Sequence, residues 1–107
     1  MKGDRVGEFE ELTLLAVRAL GDDAYAVAIQ QFIERGTQRD VTMGAVYAAL
    51  DRLEHKGHVR SAFGEPTPVR GGKPKRMFTL TAVGARALRQ LRTQREAMWR
   101  AIEQGSR

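Results

Sequence analysis

The sequence has no cysteine among its 107 residues. A disulfide framework and a thiolate metal site are therefore excluded, which suits a reducing compartment. Proline is scarce, and all three lie within ten residues, at Pro66, Pro68 and Pro74. Nothing else in the chain forbids regular structure so strongly. Aromatic residues make up only 7%, with a single tryptophan at Trp99. No apolar run approaches the roughly 20 residues that cross a bilayer. The opening MKGDRVGEFE carries no apolar stretch of the signal-peptide kind. These absences lead to the expectation of one small cytoplasmic domain without membrane contact. Acidic residues are outnumbered, 13 against 18 Lys and Arg, for a net charge of +5. Such an excess implies a polyanionic partner only where it is clustered.

It is clustered in RGGKPKR, Arg70–Arg76, where four cations share a short stretch with two glycines and a proline. On either side, HVRSAFGE and RMFTLT alternate as strands do, the second more regularly. They predict a β-hairpin whose tip spans Glu65 to Pro74. Glycine lets a backbone approach a surface closely, and cations there can neutralise phosphates. Taken alone, such a run is more commonly a solvated loop, and it is the helix ahead of it that shifts the reading to DNA.

The rest reads as helix. EFEELTLLAVRAL, Glu8–Leu20, has three glutamates in its first turn, where the helix dipole favours anions. Its apolar residues cover most of its circumference, so a second buried face is expected. Asp22 or Asp23 is a candidate N-cap for AYAVAIQQFIERG, with Val27 or Ala28, Phe32 and Ile33 turned inward and Gly36 at its end. Thr42 is the natural N-cap of MGAVYAALDRLEHKG. There Val46, Leu50 and Leu53 recur at helical spacing, leaving Met43, Gly44, Tyr47, Ala48 and Asp51 opposite and Arg52 at the edge. Thr81 can cap AVGARALRQLRTQREAMWRAIEQ, whose Leu88, Leu91, Met98 and Ile102 follow 3–4 spacing, with Trp99 beside the seam and Arg95 interrupting it.

Helix, helix, helix, hairpin, helix is the winged helix-turn-helix layout. The fold class expected is mainly α with a small β-hairpin. Residues 7–81 would form a DNA-binding domain and residues 82–104 a C-terminal dimerisation helix. A slim leading end on the third helix suits a major groove about 12 Å wide. Candidate DNA contacts are Arg39, Thr42, Met43, Gly44, Tyr47, Ala48 and Arg52, with Arg70, Lys73, Lys75 and Arg76 on the wing. Excess apolar surface at both chain ends points to a homodimer through Phe9, Leu12, Leu15, Ala16, Leu88, Leu91, Met98, Trp99 and Ile102. The arginines of the last helix could be solvated or pair with Glu8, Glu10 and Glu11 of a partner's first helix.

Enzymatic readings fail. Gly72-Lys73 does not make a phosphate loop, because Thr67 and Pro74 stand where that pattern needs Gly and Ser or Thr. His55 and His58 straddle Gly57, so no metal pair is expected, nor any cofactor. No acid, base and nucleophile assemble.

EFEELTLLAVRALGDDAYAVAIQQFIE, VTMGAVYAALDRLEHKGHVRS and RGGKPKRMFTLTAVGARAL together resemble the PadR family of bacterial transcriptional regulators, over roughly residues 7–91. AVYAALDRLEHKG and the wing exit RMFTLTAVG are the most specific parts. The resemblance implies a winged-helix DNA-binding domain with a dimerising last helix, usually a repressor, and Tyr47 at the DNA face. Departures are Ala26 after Tyr25, where the family favours glycine, and Ala48 after Tyr47, where proline is frequent. One short C-terminal helix leaves little room for a dedicated effector domain. The expected function is therefore a homodimeric DNA-binding regulator, a repressor at a palindromic operator. The competing reading is a winged-helix interaction module whose basic wing takes an acidic protein.

Overall fold

The computed structural model describes residues 5–64 and 74–105. It contains α1 (Glu8–Leu20), a 3-10 turn (Gly21–Asp23), α2 (Ala26–Thr37), α3 (Met43–His55), β1 (Val59–Phe63), β2 (Arg76–Leu80) and α4 (Ala82–Glu103). The chain is mainly helical with one two-stranded antiparallel hairpin, as expected.

Helix α1 spans the residues expected of it, with Glu8, Glu10 and Glu11 in the first turn. Gly21, at φ 57°, turns the chain out of it, a conformation costly for any residue with a Cβ. Leu14, Ala16 and Val17 are buried in the core. Ala16, expected at a dimer interface, is therefore unavailable to a partner: it has no exposed surface. Phe9 and Leu12 also pack partly against the core, which leaves Leu15 as the large apolar side chain of α1 facing solvent.

Helix α2 begins later than expected. Asp22 and Asp23 do not cap it; they belong to the 3-10 turn, and Tyr25 takes the N-cap position in extended geometry. The reason is tertiary. The Phe78 amide donates to the Ala24 carbonyl at 2.8 Å, and Tyr25 forms an antiparallel bridge with Met77. Two residues are thus recruited as a third edge of the hairpin before the helix can start. The inward stripe is Ala26, Ile29 and Ile33, not Val27 or Ala28. Helix α2 ends at Gln38 in left-handed geometry rather than at Gly36.

Thr42 caps α3 as expected, accepting from the Ala45 amide. Val46, Ala49, Leu50 and Leu53 are fully buried against α1 and α2. Val41, in the turn between α2 and α3, is held at both ends: its amide donates to Glu34 and its carbonyl accepts from Gln30. Both partners lie on α2, one turn apart, so the turn is bound to the helix it leaves.

The hairpin pairs Val59 with Leu80, Ser61 with Phe78 and Phe63 with Arg76. Val59 and Phe78 close the core. At its exit the Thr81 hydroxyl caps α4, accepting from the Gly84 amide, and lies within bonding reach of the Gly57 and His58 carbonyls. Gly84 sits so close to the His58 carbonyl that no side chain fits there.

Helix α4 runs 22 residues, and Leu88 is the last of its apolar residues packed against the core. Beyond it the helix projects. The radius of gyration is 15.9 Å, against about 13 Å for a compact chain of this length.

Candidate nucleic-acid interface

Four buried side chains fix the rotation of α3, so the opposite side is fixed too. At ~100° per residue, Gly44, Ala48, Asp51 and His55 run along the line facing away from Val46, Ala49, Leu50 and Leu53. All four are exposed. Tyr47, 46% exposed, flanks that line on one side, and Arg52 flanks it on the other. Thr42 is exposed at the leading end and Met43 is half-buried. Of the expected groove-facing residues, Gly44, Tyr47 and Ala48 thus lie on the exposed side, Arg52 stands at its edge and Thr42 at its leading end, whereas Met43 packs partly against the core.

The cations near this face are partly committed. Arg39 donates to Glu8 at 2.9 Å and lies over the Phe9 ring, pinning the turn before α3 to α1. Arg52 donates to Glu10 at 2.9 Å, and Lys56 meets the same carboxylate at 2.8 Å. Glu10 is only 7% exposed. Burial pushes its carboxyl pKa up, but hydrogen bonds from Lys56 and Arg52 and their positive charges outweigh this and hold it below the ordinary value. The carboxylate joins α1 to the end of α3 and fixes one edge of the Arg52 guanidinium.

On the wing, Lys75 is exposed and its ammonium lies 4.0 Å from the centre of the Tyr25 ring. Arg76 is placed differently from the sequence expectation. It turns back onto α3, donating to Glu54 at 2.7 Å and to the Ser61 hydroxyl at 3.1 Å, while Ser61 donates to Glu54 at 2.8 Å. Its charge is met inside the protein, so it anchors the wing instead of extending from it. Arg70 and Lys73 lie outside the described residues.

Sequence reading missed the Glu54–Ser61–Arg76 network because its members are far apart in the chain and none is apolar. It also missed Gln30 and Glu34, whose partners are the backbone amide and carbonyl of Val41, which no side-chain pattern marks. The period-two alternation of the strands, followed through, would have placed Ser61 and Arg76 on one side of the hairpin.

For the last helix, Met98, Trp99 and Ile102 are all more than 60% exposed, Leu91 is half-buried and Leu88 is packed inward. The first-helix glutamates find partners within the same chain: Arg39 for Glu8, Arg52 and Lys56 for Glu10, and Arg95 for Glu11, with Arg95 Nε at 3.0 Å. Among the described residues no helix is long and apolar enough to cross a membrane, and no three His, Asp or Glu side chains gather as metal ligands.

The PadR family regulator from hypervirulent Clostridium difficile R20291 superposes with a TM-score of 0.73, at 22% identity, over 92% of this chain and 97% of that one. A PadR-like transcription factor from bacteroid fragilis gives 0.72, at 24% identity, over 94% and 91%. A Streptococcus transcriptional regulator gives 0.71, at 18% identity, over 92% and 95%. At these identities the likeness speaks for the fold. No curated protein matches the chain significantly in sequence. The family model of PadR-like transcriptional regulators matches residues 14–90, from the middle of α1 through the wing into α4. With most of its length covered, the chain belongs to the PadR-like transcriptional regulator family.

Proposed function

We propose that this regulator is a homodimeric repressor that binds a palindromic operator and works in the cytoplasm. Its family consists of transcriptional regulators, not enzymes. The observation that carries the proposal is the split of α3 into a fully buried side and an exposed one of small residues flanked by Tyr47, beside a wing tied to it by Arg76 and Glu54. In this reading Thr42, Met43, Gly44, Tyr47 and Ala48 enter the major groove. Arg39, Arg52 and Lys75, with Arg70 and Lys73 of the tip, meet phosphates. Residues 7–81 form the DNA-binding unit and residues 82–104 the dimerising helix.

Tyr47→Ala tests the orientation of α3. It should weaken operator binding by roughly 1–3 kcal/mol and change unfolding free energy by less than about 0.5 kcal/mol, as for a surface site. Binding is read by titration of labelled duplex, stability by urea. A destabilised protein with unaltered selectivity would return Tyr47 to the core and refute the reading.

The dimer rests on the exposed Met98, Trp99 and Ile102 of α4, together with Leu15, Leu88 and Leu91 and the edges of Phe9 and Leu12. An unpartnered row of this kind is costly in water. Light scattering on the full chain at micromolar concentration should give twice the chain mass, and the triple variant Met98→Ala, Trp99→Ala, Ile102→Ala should give a monomer. A two-fold dimer sets its two α3 helices about 34 Å apart, one turn of DNA. A monomeric full chain would exclude it.

A further inference from the structure

The helix proposed to read DNA has an unusual ionic arrangement. Toward its end, three charged side chains are committed to partners: Arg52 and Lys56 to Glu10, and Glu54 to Ser61 and Arg76. Asp51 is the exception. It is exposed, lies within about 30° of the direction opposite the buried stripe, and its carboxylate makes no hydrogen bond or ion pair with any described residue. The carboxylates of α1 nearby, Glu8, Glu10 and Glu11, are all paired. Among the described residues, therefore, nothing compensates one negative charge in the middle of the face that is to meet a polyanion.

A carboxylate there opposes phosphate at any distance, so it disfavours every docking that lays this face along the backbone. It is tolerated where it sits over the floor of the groove and finds a donor. In the major groove the amino donors are cytosine N4 and adenine N6; adenine sets the acceptor N7 beside its donor, so a carboxylate accepts best from cytosine, whereas guanine presents only acceptors, N7 and O6, which repel it. The residues of the line before it, Gly44 and Ala48, have no polar side chain to compete for that donor. His55, one turn further on, is exposed at the last position of the helix.

We propose that Asp51 is a specificity-determining residue, selecting cytosine at one position of each operator half-site and rejecting guanine there. The proposal rests on α3 being the reading helix. Asp51 contributes discrimination rather than affinity: its charge lowers binding to mixed-sequence DNA and is compensated only at the matching base.

The test is selection from a random duplex library by the full-length protein, run in parallel for wild type, Asp51→Asn and Asp51→Ala. Wild type should enrich a half-site with one cytosine favoured about tenfold over guanine, within the range of a good base contact. Asp51→Asn should move the preference at that position toward adenine, whose N6 and N7 suit an amide. Asp51→Ala should level the four bases there, leave the other positions unchanged and bind mixed-sequence DNA more tightly. Identical base profiles for all three proteins would overturn the proposal while leaving α3 as the reading helix. A wild type that enriches no sequence would overturn that reading and this inference with it.

Discussion

Phe78→Ala is expected to lower the unfolding free energy by about 3–5 kcal/mol, the range for removing a buried phenyl ring. Domains of this kind hold about 5–15 kcal/mol in total, so the loss is a large share. The site offers little scope for collapse. Phe78 is 2% exposed, its amide is bonded to Ala24, and the Arg76 guanidinium lies 5.0 Å from its ring centre. The ring is where β2 joins the helical core, so the wing should loosen along with it. Urea unfolding measures the first effect, and amide exchange across Arg76–Leu80 the second. A loss below about 1 kcal/mol would mean that the ring does not close the core as described.

Gly84→Ala should cost about 3 kcal/mol, at the upper part of the range for forced overpacking. The usual expectation has the opposite sign, since alanine in place of glycine inside a helix ordinarily stabilises by about 0.5–1 kcal/mol. Here a Cβ would come 2.1 Å from the His58 carbonyl oxygen, 3.0 Å from its carbon and 2.9 Å from Leu80 Cδ1. Two of the three atoms are backbone, and that backbone is tied to Thr81, the N-cap of the same helix. Neither side can yield without parting α4 from β1. Gly44 is the control: its added Cβ meets nothing nearer than 4.0 Å, so Gly44→Ala should be neutral or stabilising. If both variants unfold alike in urea, the close approach of α4 to His58 is wrong.

Much of this architecture can be read from local signals. Helices α3 and α4 begin at threonines whose hydroxyls accept an amide three residues on, a pairing set by neighbours in the chain. The buried stripe of α3 follows from spacing alone. What stays hidden depends on distant partners. Asp22 and Asp23 have the chemistry of caps, yet Ala24 and Tyr25 are drawn to the hairpin and delay α2. Ala16 belongs to an apolar set whose inner and outer members differ only in what packs beside them. Arg76 reads as part of a basic loop until its strand register brings Glu54 beside it. Long-range ion pairs leave no periodic trace, and so the division between wing anchor and wing contact was invisible.

The strapping of Val41 by Gln30 and Glu34 bears on association kinetics. With its peptide groups bound on both sides to α2, the turn before α3 has little freedom left to lose. The orientation of α3 is therefore settled during folding, and, if α3 reads DNA as proposed, docking does not have to restrict it again. Encounter then becomes a search in position and angle between two nearly rigid bodies. Its rate is governed by diffusion and by steering from the basic surface, while the lifetime of the complex is left to the groove contacts themselves.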